Sequence, residues 1–101
     1  MLLAQVLGTV VSTRKDPGLL SLKLLLTREL DGSFKPTGNY VVAADAVGAG
    51  ADEVVLLAQG SSARMTEVSR EKPVDAVIVG IVDAVEIDGR DVYLKRAETA
   101  R

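Results

Sequence analysis

Two short stretches hold the residues whose types and spacing could do chemistry. The first is Asp45-Ala46-Val47-Gly48-Ala49-Gly50-Ala51-Asp52-Glu53, with three carboxylates around a Gly-rich corner. The second is Gly60-Ser61-Ser62-Ala63-Arg64, with two hydroxyls and a guanidinium. Paired carboxylates perform acid–base work only when their surroundings split their pKa values. Nothing in the spacing of Asp45, Asp52 and Glu53 requires that, and solvated corner residues are the expectation. The chain has no histidine and no cysteine, so Ser-His and Cys-His pairs are excluded. A Ser-Lys pair using Ser61 or Ser62 is formally open, but serine beside a short turn ordinarily caps it. Gly48-Ala49-Gly50 lacks the spacing and following lysine of a phosphate loop. Arg64 is open to binding an anion or to pairing with an acidic side chain of its own chain or of a neighbour, and pairing is the favoured reading. Both corners read as shaped backbone that approaches something closely.

These corners must be held by strands. Leu2 to Thr13 alternates, with Leu2, Ala4, Val6, Gly8 and Val10 on one face. Pro17-Gly18 marks a turn, because proline presets φ and glycine accepts positive φ. In Leu20 to Glu29, Leu20, Leu22, Leu24 and Leu26 share a face, which predicts a half-buried strand with those leucines inward. Leu30 to Gly38 reads as a loop. Asn39 to Ala44 and Glu53 to Ala58 read as the third and fourth strands. Asp45 to Gly48 predicts one helical turn capped by Asp45, and Ser62 to Met65 a second, capped by Ser61. Val74 to Ile87 reads as one long segment with both faces apolar, bent at Gly80. It is expected to be covered by a core on one side and a neighbouring subunit on the other. Asp88-Gly89 is a type I′ hairpin signal, leading into Asp91 to Lys95.

The 101 residues make one domain, here bounded as residues 1–96 with a polar, frayed tail at 97–101. Five or six strands with one or two short helical turns predict a mainly β fold, a small, partly open barrel of the OB-like or a related Greek-key kind. The first residues lack a basic and then apolar leader pattern. No apolar run approaches the ~20 residues of a membrane helix, so no membrane partner is expected. Twelve basic residues against 14 acidic give a net charge of −2. Nucleic-acid binding on an OB barrel needs a basic groove and stacking aromatics. The only aromatics are Phe34, Tyr40 and Tyr93. A single-stranded nucleic-acid-binding module is therefore the alternative reading, and it loses on both counts.

Four motifs in register resemble a known family. They are Gly8-Thr9-Val10-Val11-Ser12-Thr13-Arg14-Lys15, Ala43 to Gly50, Gly60 to Arg64, and Pro73-Val74-Asp75-Ala76. In order and spacing they resemble the pentameric vertex proteins of bacterial microcompartments, the CcmL/EutN family. The resemblance runs from Leu2 to Lys95. It implies a five-stranded OB-like β-barrel and a non-enzymatic homopentamer that caps the five-fold vertices of a cytoplasmic shell, a carboxysome or a metabolosome. It implies hexameric and trimeric shell proteins as partners, with no cofactor, metal or nucleic acid. Gly48, Ala49, Gly50, Ser61 and Ser62 are then candidates for the region near the five-fold axis. Arg64, Val77, Val79 and Ile81 are candidates for the subunit interface.

Overall fold

A computed structural model of the chain describes residues 1–95. The expected boundary at residue 96 and the tail at 97–101 lie outside the described residues. Five strands close a barrel: β1 (Leu2–Val10), β2 (Leu24–Leu30), β3 (Pro36–Asp45), β4 (Val54–Gln59) and β5 (Ala76–Ile81). Around the barrel the order is β1-β2-β3-β5-β4, with β4 returning to β1. All pairs are antiparallel except β3–β5, whose short parallel contact (Ala44 with Val77, Asp45 with Ile78) closes the cylinder. This is the expected OB-like barrel. A separate hairpin, β6 (Ala84–Ile87) with β7 (Arg90–Leu94), stands outside it. Among the described residues the helical elements are two 3₁₀ turns, Pro17–Leu19 and Gly60–Arg64.

A five-stranded cylinder has a narrow bore, since diameter grows with strand number. Its filling therefore mixes small and branched side chains. Ala4, Val6, Leu25, Ala43, Ala49, Val55, Leu57, Ala76 and Ile78 form the interior. Val6, Ala4 and the partly buried Leu2 point inward, as the period of β1 predicts.

The leucine run behaves differently. β2 begins only at Leu24. It turns Leu25 and Thr27 inward, while Leu24 and Leu26 lie on the outer wall. The buried Thr27 hydroxyl donates to the Val41 carbonyl at 2.8 Å, which satisfies it inside the barrel. Leu20 is exposed, and Leu22 is buried in a second cluster outside the cylinder. Side chains alternate with a period of two, so a shift of one position exchanges the two faces. Ahead of β2, the Asp16 carboxylate accepts from the Gly18 N–H at 2.7 Å and shapes the Pro17–Leu19 turn.

β3 starts at Pro36, earlier than the expected Asn39, because Asp31 closes a tight β2–β3 connection. Its Oδ1 accepts from the N–H groups of Ser33 (2.8 Å) and Lys35 (3.0 Å). The expected single segment Val74 to Ile87 is two strands, interrupted at Val82-Asp83, and the β4–β5 register also shifts beside Gly80, where a bend was expected. The break lets Val85 and Tyr93 of the hairpin lie on Leu3, Leu56, Leu30 and Val54 of the barrel. Asp88 (φ +53°) and Gly89 (φ +80°) make the expected hairpin turn. Both faces of β5 are indeed apolar, but its own chain covers the second one. Val77 is packed under Leu22, Ala63 and Val74, and Ile78 fills the bore.

Candidate functional site: the two corners and the open β2–β3 wall

The Gly-rich corner is built on one carboxylate. Asp45 Oδ1 accepts from the N–H groups of Val47 and Gly48, and Oδ2 from that of Ala49, each at 3.0 Å. Asp45 therefore caps, as expected, but it caps a bend and no helical turn forms. Gly48 takes φ +79°, a region that favours glycine. That turn drives the Ala49 side chain into the barrel, where it is 3% exposed. The corner is then stitched to β1: Asp52 N–H donates to Val6 O (2.8 Å), and Val6 N–H to Glu53 O (2.9 Å). A side chain at Gly50 would meet only the Glu53 carboxylate, at ordinary contact distance. Nothing in its own chain requires close approach there.

Glu53 ties this corner to the end of the hairpin. One carboxylate oxygen accepts from Gly50 N–H and the other pairs with the Lys95 ammonium. The Lys95 hydrogen bond, then the Gly50 N–H, hold the Glu53 carboxyl below its usual range. The same pair raises Lys95. A depressed carboxyl contributes stability above its unfolded value of 4.5 and loses it as pH falls through the folded value. The raised Lys95 contributes below its usual 10.5 and loses this as pH rises through its folded value. The melting temperature of Glu53→Gln should therefore lie modestly below the parent at neutral pH. The gap should close in acid, below the lowered Glu53 pKa. Thermal melts across that range check it, and a gap independent of pH would contradict it. The effect is small because both groups touch solvent.

The second corner is arranged otherwise than expected. The 3₁₀ turn spans Gly60–Arg64, and its flanking residue Gln59 makes no side-chain cap. Ser61 does not cap it; the Ser62 hydroxyl instead donates to Gln59 O at 2.7 Å. Gly60 (φ +64°) donates its N–H to Asp75 O at 2.9 Å. Ala63 is buried, and Ser69, also buried, donates its hydroxyl to Ala63 O at 2.5 Å. Arg64 Nη1 donates to Val74 O at 3.2 Å, so its partner in the chain is a carbonyl and not a carboxylate. Ser62 and Ser69 shape this segment through those bonds.

The two corners sit at opposite ends of β4, a separation of about 20 Å for six extended residues. Gly48, Gly50, Ser61 and Ser62 are exposed. Ala49 is not, so its side chain lies in the barrel and cannot line an opening. Val77 is likewise fully buried within its own chain and offers nothing to a neighbour. Arg64 is exposed, and Val79 and Ile81 are partly so.

The reading from sequence missed the open apolar wall. Tyr40 is 63% and Val42 47% exposed on β3. Beside them on β2 lie Leu24 and Leu26, with Leu24 opposite Ala44 and Leu26 opposite Val42. A shallow cleft of ≈ 140 Å³ runs from this wall to the Pro73–Ala76 segment. The signal was present as apolar residues on both faces of β3, with Val41 and Ala43 taking the other parity. The remaining aromatics are occupied, since Phe34 and Tyr93 stack on each other with centroids 5.2 Å apart. Among the described residues, no cluster of three His, Cys, Asp or Glu side chains is placed to hold a metal ion.

A closed β1-β2-β3-β5-β4 barrel carrying these corners is matched by one family model over residues 1–83, described as "Ethanolamine utilisation protein EutN/carboxysome". The chain belongs to the EutN/CcmL family. Among similar proteins is the carboxysome shell vertex protein CcmL of Synechocystis, 50% identical, over 95% of this chain and 96% of that protein. The solved structure of Gloeobacter violaceus CcmL is 47% identical, with TM-score 0.90, over 94% of this chain and 98% of that one. The pentameric microcompartment shell protein GrpN of Rhodospirillum rubrum is 45% identical, with TM-score 0.77. It covers 86% of this chain, and 98% of GrpN is matched. The EutN/CcmL family thus carries the expected barrel, with the hairpin lying past the end of the family model.

Proposed function

We propose that this protein assembles as a homopentamer and caps the five-fold vertices of a microcompartment shell in the bacterial cytoplasm. The observation that carries this is the open β2–β3 wall on an EutN/CcmL barrel. A monomer would leave Tyr40 and Val42 facing water, with the partly buried Leu24 and Leu26 beside them, whereas a ring covers them. A cyclic ring needs a heterologous contact, in which one patch meets a different patch on the next copy. Shells tiled by six-fold units alone stay flat or roll into tubes, and five-fold units at corners close them. Hexameric and trimeric shell proteins are the partners that such a corner meets.

The work is mechanical and not catalytic. The candidate acid, Asp45, is occupied in holding backbone, and Ser62 in bonding Gln59. Axis-proximal candidates are Gly48, Gly50, Ser61 and Ser62, and Arg64, Val79 and Ile81 remain interface candidates beside the wall. Binding of single-stranded nucleic acid is disfavoured by the net charge of −2 and by the mutual stacking of Phe34 and Tyr93.

Native mass spectrometry tests the reading. A dominant five-subunit species is expected, and Val42→Glu should shift it strongly toward monomer. A parent protein that stays monomeric over the accessible concentrations would overturn the vertex reading. Mixing with a hexameric shell protein then tests closure, seen as closed particles in place of sheets or tubes.

A further inference from the structure

The chain has two Asp-Gly steps, Asp31-Gly32 and Asp88-Gly89. Such a step holds an electrophile and a nucleophile side by side, the aspartate carboxyl and the glycine backbone nitrogen. Ring closure between them needs a peptide unit with room to rotate, and glycine leaves that room because it has no Cβ. The other aspartates precede proline, which has no N–H, or a residue whose side chain crowds the nitrogen. The one asparagine, Asn39, precedes the bulky Tyr40.

Both steps lie at exposed connections between antiparallel strands, and a Cβ at either glycine would meet nothing. Exposure does not separate them, but hydrogen bonding does. Asp31 is held at its carboxylate and at its backbone. Its Oδ1 accepts from the N–H groups of Ser33 and Lys35. Its own N–H donates to Lys35 O at 2.9 Å, and its carbonyl accepts from Phe34 N–H at 3.0 Å. To reach the Gly32 nitrogen, the carboxylate must leave two donors. The peptide unit that has to rotate is the one whose carbonyl Phe34 holds. The N–H of Lys35, then that of Ser33, also keep the Asp31 carboxyl below its usual range. It is thereby kept as the carboxylate, the form that loses oxygen least readily.

Asp88 is placed differently. Among the described residues its carboxylate joins no ion pair, and no turn bond holds its N–H or its carbonyl. It sits at φ +53°, a left-handed conformation that a residue with a Cβ adopts less easily than glycine does.

We propose that Asp88 is a site of spontaneous isoaspartate formation, and that the hydrogen bonds around Asp31 spare the other Asp-Gly step. The Gly89 nitrogen bonds to Cγ of Asp88, and its proton leaves with the carboxyl OH as water. The product is a five-membered succinimide. Water then adds to one of the two ring carbonyls. Opening at Cγ restores aspartate. Opening at the α-carbonyl leaves the chain running through Cβ and Cγ, with the α-carboxylate as the side group. One water leaves and one returns, so the mass is unchanged and no co-reactant is needed. The product has an extra atom in the backbone of a two-residue turn, so Ile87 and Arg90 no longer pair squarely and the tip opens. The base of the hairpin stays, because Val85 and Tyr93 pack on the barrel. This chemistry requires no neighbouring subunit and is independent of the pentamer.

The test keeps the assembled full-length protein warm at neutral pH for weeks, beside a sample unfolded in denaturant. Fragmentation of its peptides by electron transfer distinguishes isoaspartate from aspartate of equal mass, because it cleaves the added backbone carbon–carbon bond. In the folded sample Asp88 should convert about tenfold faster than Asp31 or more, the ratio set by one hydrogen bond to a charged group that must break before closure. In the unfolded sample, where those bonds are gone, the two sites should convert at similar rates. Equal rates in the folded protein, or a faster Asp31, would overturn the proposal. So would conversion of Asp88 only in the unfolded chain, which would show that the turn keeps the carboxyl away from Gly89. A gap of the same size in both samples would also overturn it, since adjoining residues and not the fold would then set the rates.

Discussion

Ile78→Ala is expected to lower the unfolding free energy by about 2–5 kcal/mol, the range for emptying a large buried aliphatic site. Ile78 is fully buried and lies where the barrel closes. Its backbone pairs with Asp45 of β3 on one side and Leu57 of β4 on the other. The parallel β3–β5 contact is only two residue pairs long, so side-chain packing in the bore carries that seam. The surroundings include Ala4, Ala43 and Ala49, which are too short to reach into the space left behind. Ile78→Val should cost only about 0.5–1.5 kcal/mol. Urea unfolding followed by circular dichroism at one fixed protomer concentration gives both values. The concentration must be fixed because assembly adds to apparent stability. A loss under about 1 kcal/mol for Ile78→Ala would mean that this side chain does not fill the bore as described, since even the Ile→Val range reaches that far.

Asp45→Ala should be the second large effect, about 2–3 kcal/mol. The change removes an acceptor serving three N–H groups, and hydrogen bonds to a charged group contribute about 1.5–3 kcal/mol each when buried. Water can reach Val47 and Gly48, which are exposed, so their loss is partly compensated. It cannot easily reach the N–H of Ala49, whose side chain is inside the barrel. Asp45→Asn keeps one oxygen acceptor and should cost clearly less. Hydrogen exchange resolves the two: the amides of 47–49 should exchange much faster in Asp45→Ala than in the parent. Unchanged protection there would show that the corner holds its shape without the carboxylate. Because the corner is also stitched to β1 at Val6, its loosening should be felt in the association of the ring as well as in the melt.

Much of this architecture was legible before any coordinates. Asp88-Gly89 announces its hairpin, because a two-residue turn with two positive φ values matches the twist of antiparallel strands and suits Asp-Gly. Pro17-Gly18 announces a turn, Asp45 announces a cap, and the alternation in β1 identifies its inward residues. The four motifs in register identify the family. These are local properties, carried by backbone preferences and by the spacing of a few side chains.

Other features were decided only when the strands met. The leucine run shows that β2 alternates, but both of its parities are apolar enough to enter a core. The narrow bore accepted Leu25 and Thr27, with the Thr27 hydroxyl satisfied by Val41 O, and sent Leu24 and Leu26 outward. That choice created the open wall on which the proposed assembly depends. The burial of Ala49 follows from the path of a turn around Asp45, and composition cannot distinguish it from the exposed Gly48 and Gly50 on either side. Val77 is covered by Leu22 and Ala63 as well as by the nearby Val74, and no local pattern records the approach of the first two. Sequence by itself determined which segments extend, where they turn, and which family they belong to. Tertiary structure decided which face of each strand is inside, because a face is buried by what arrives to cover it.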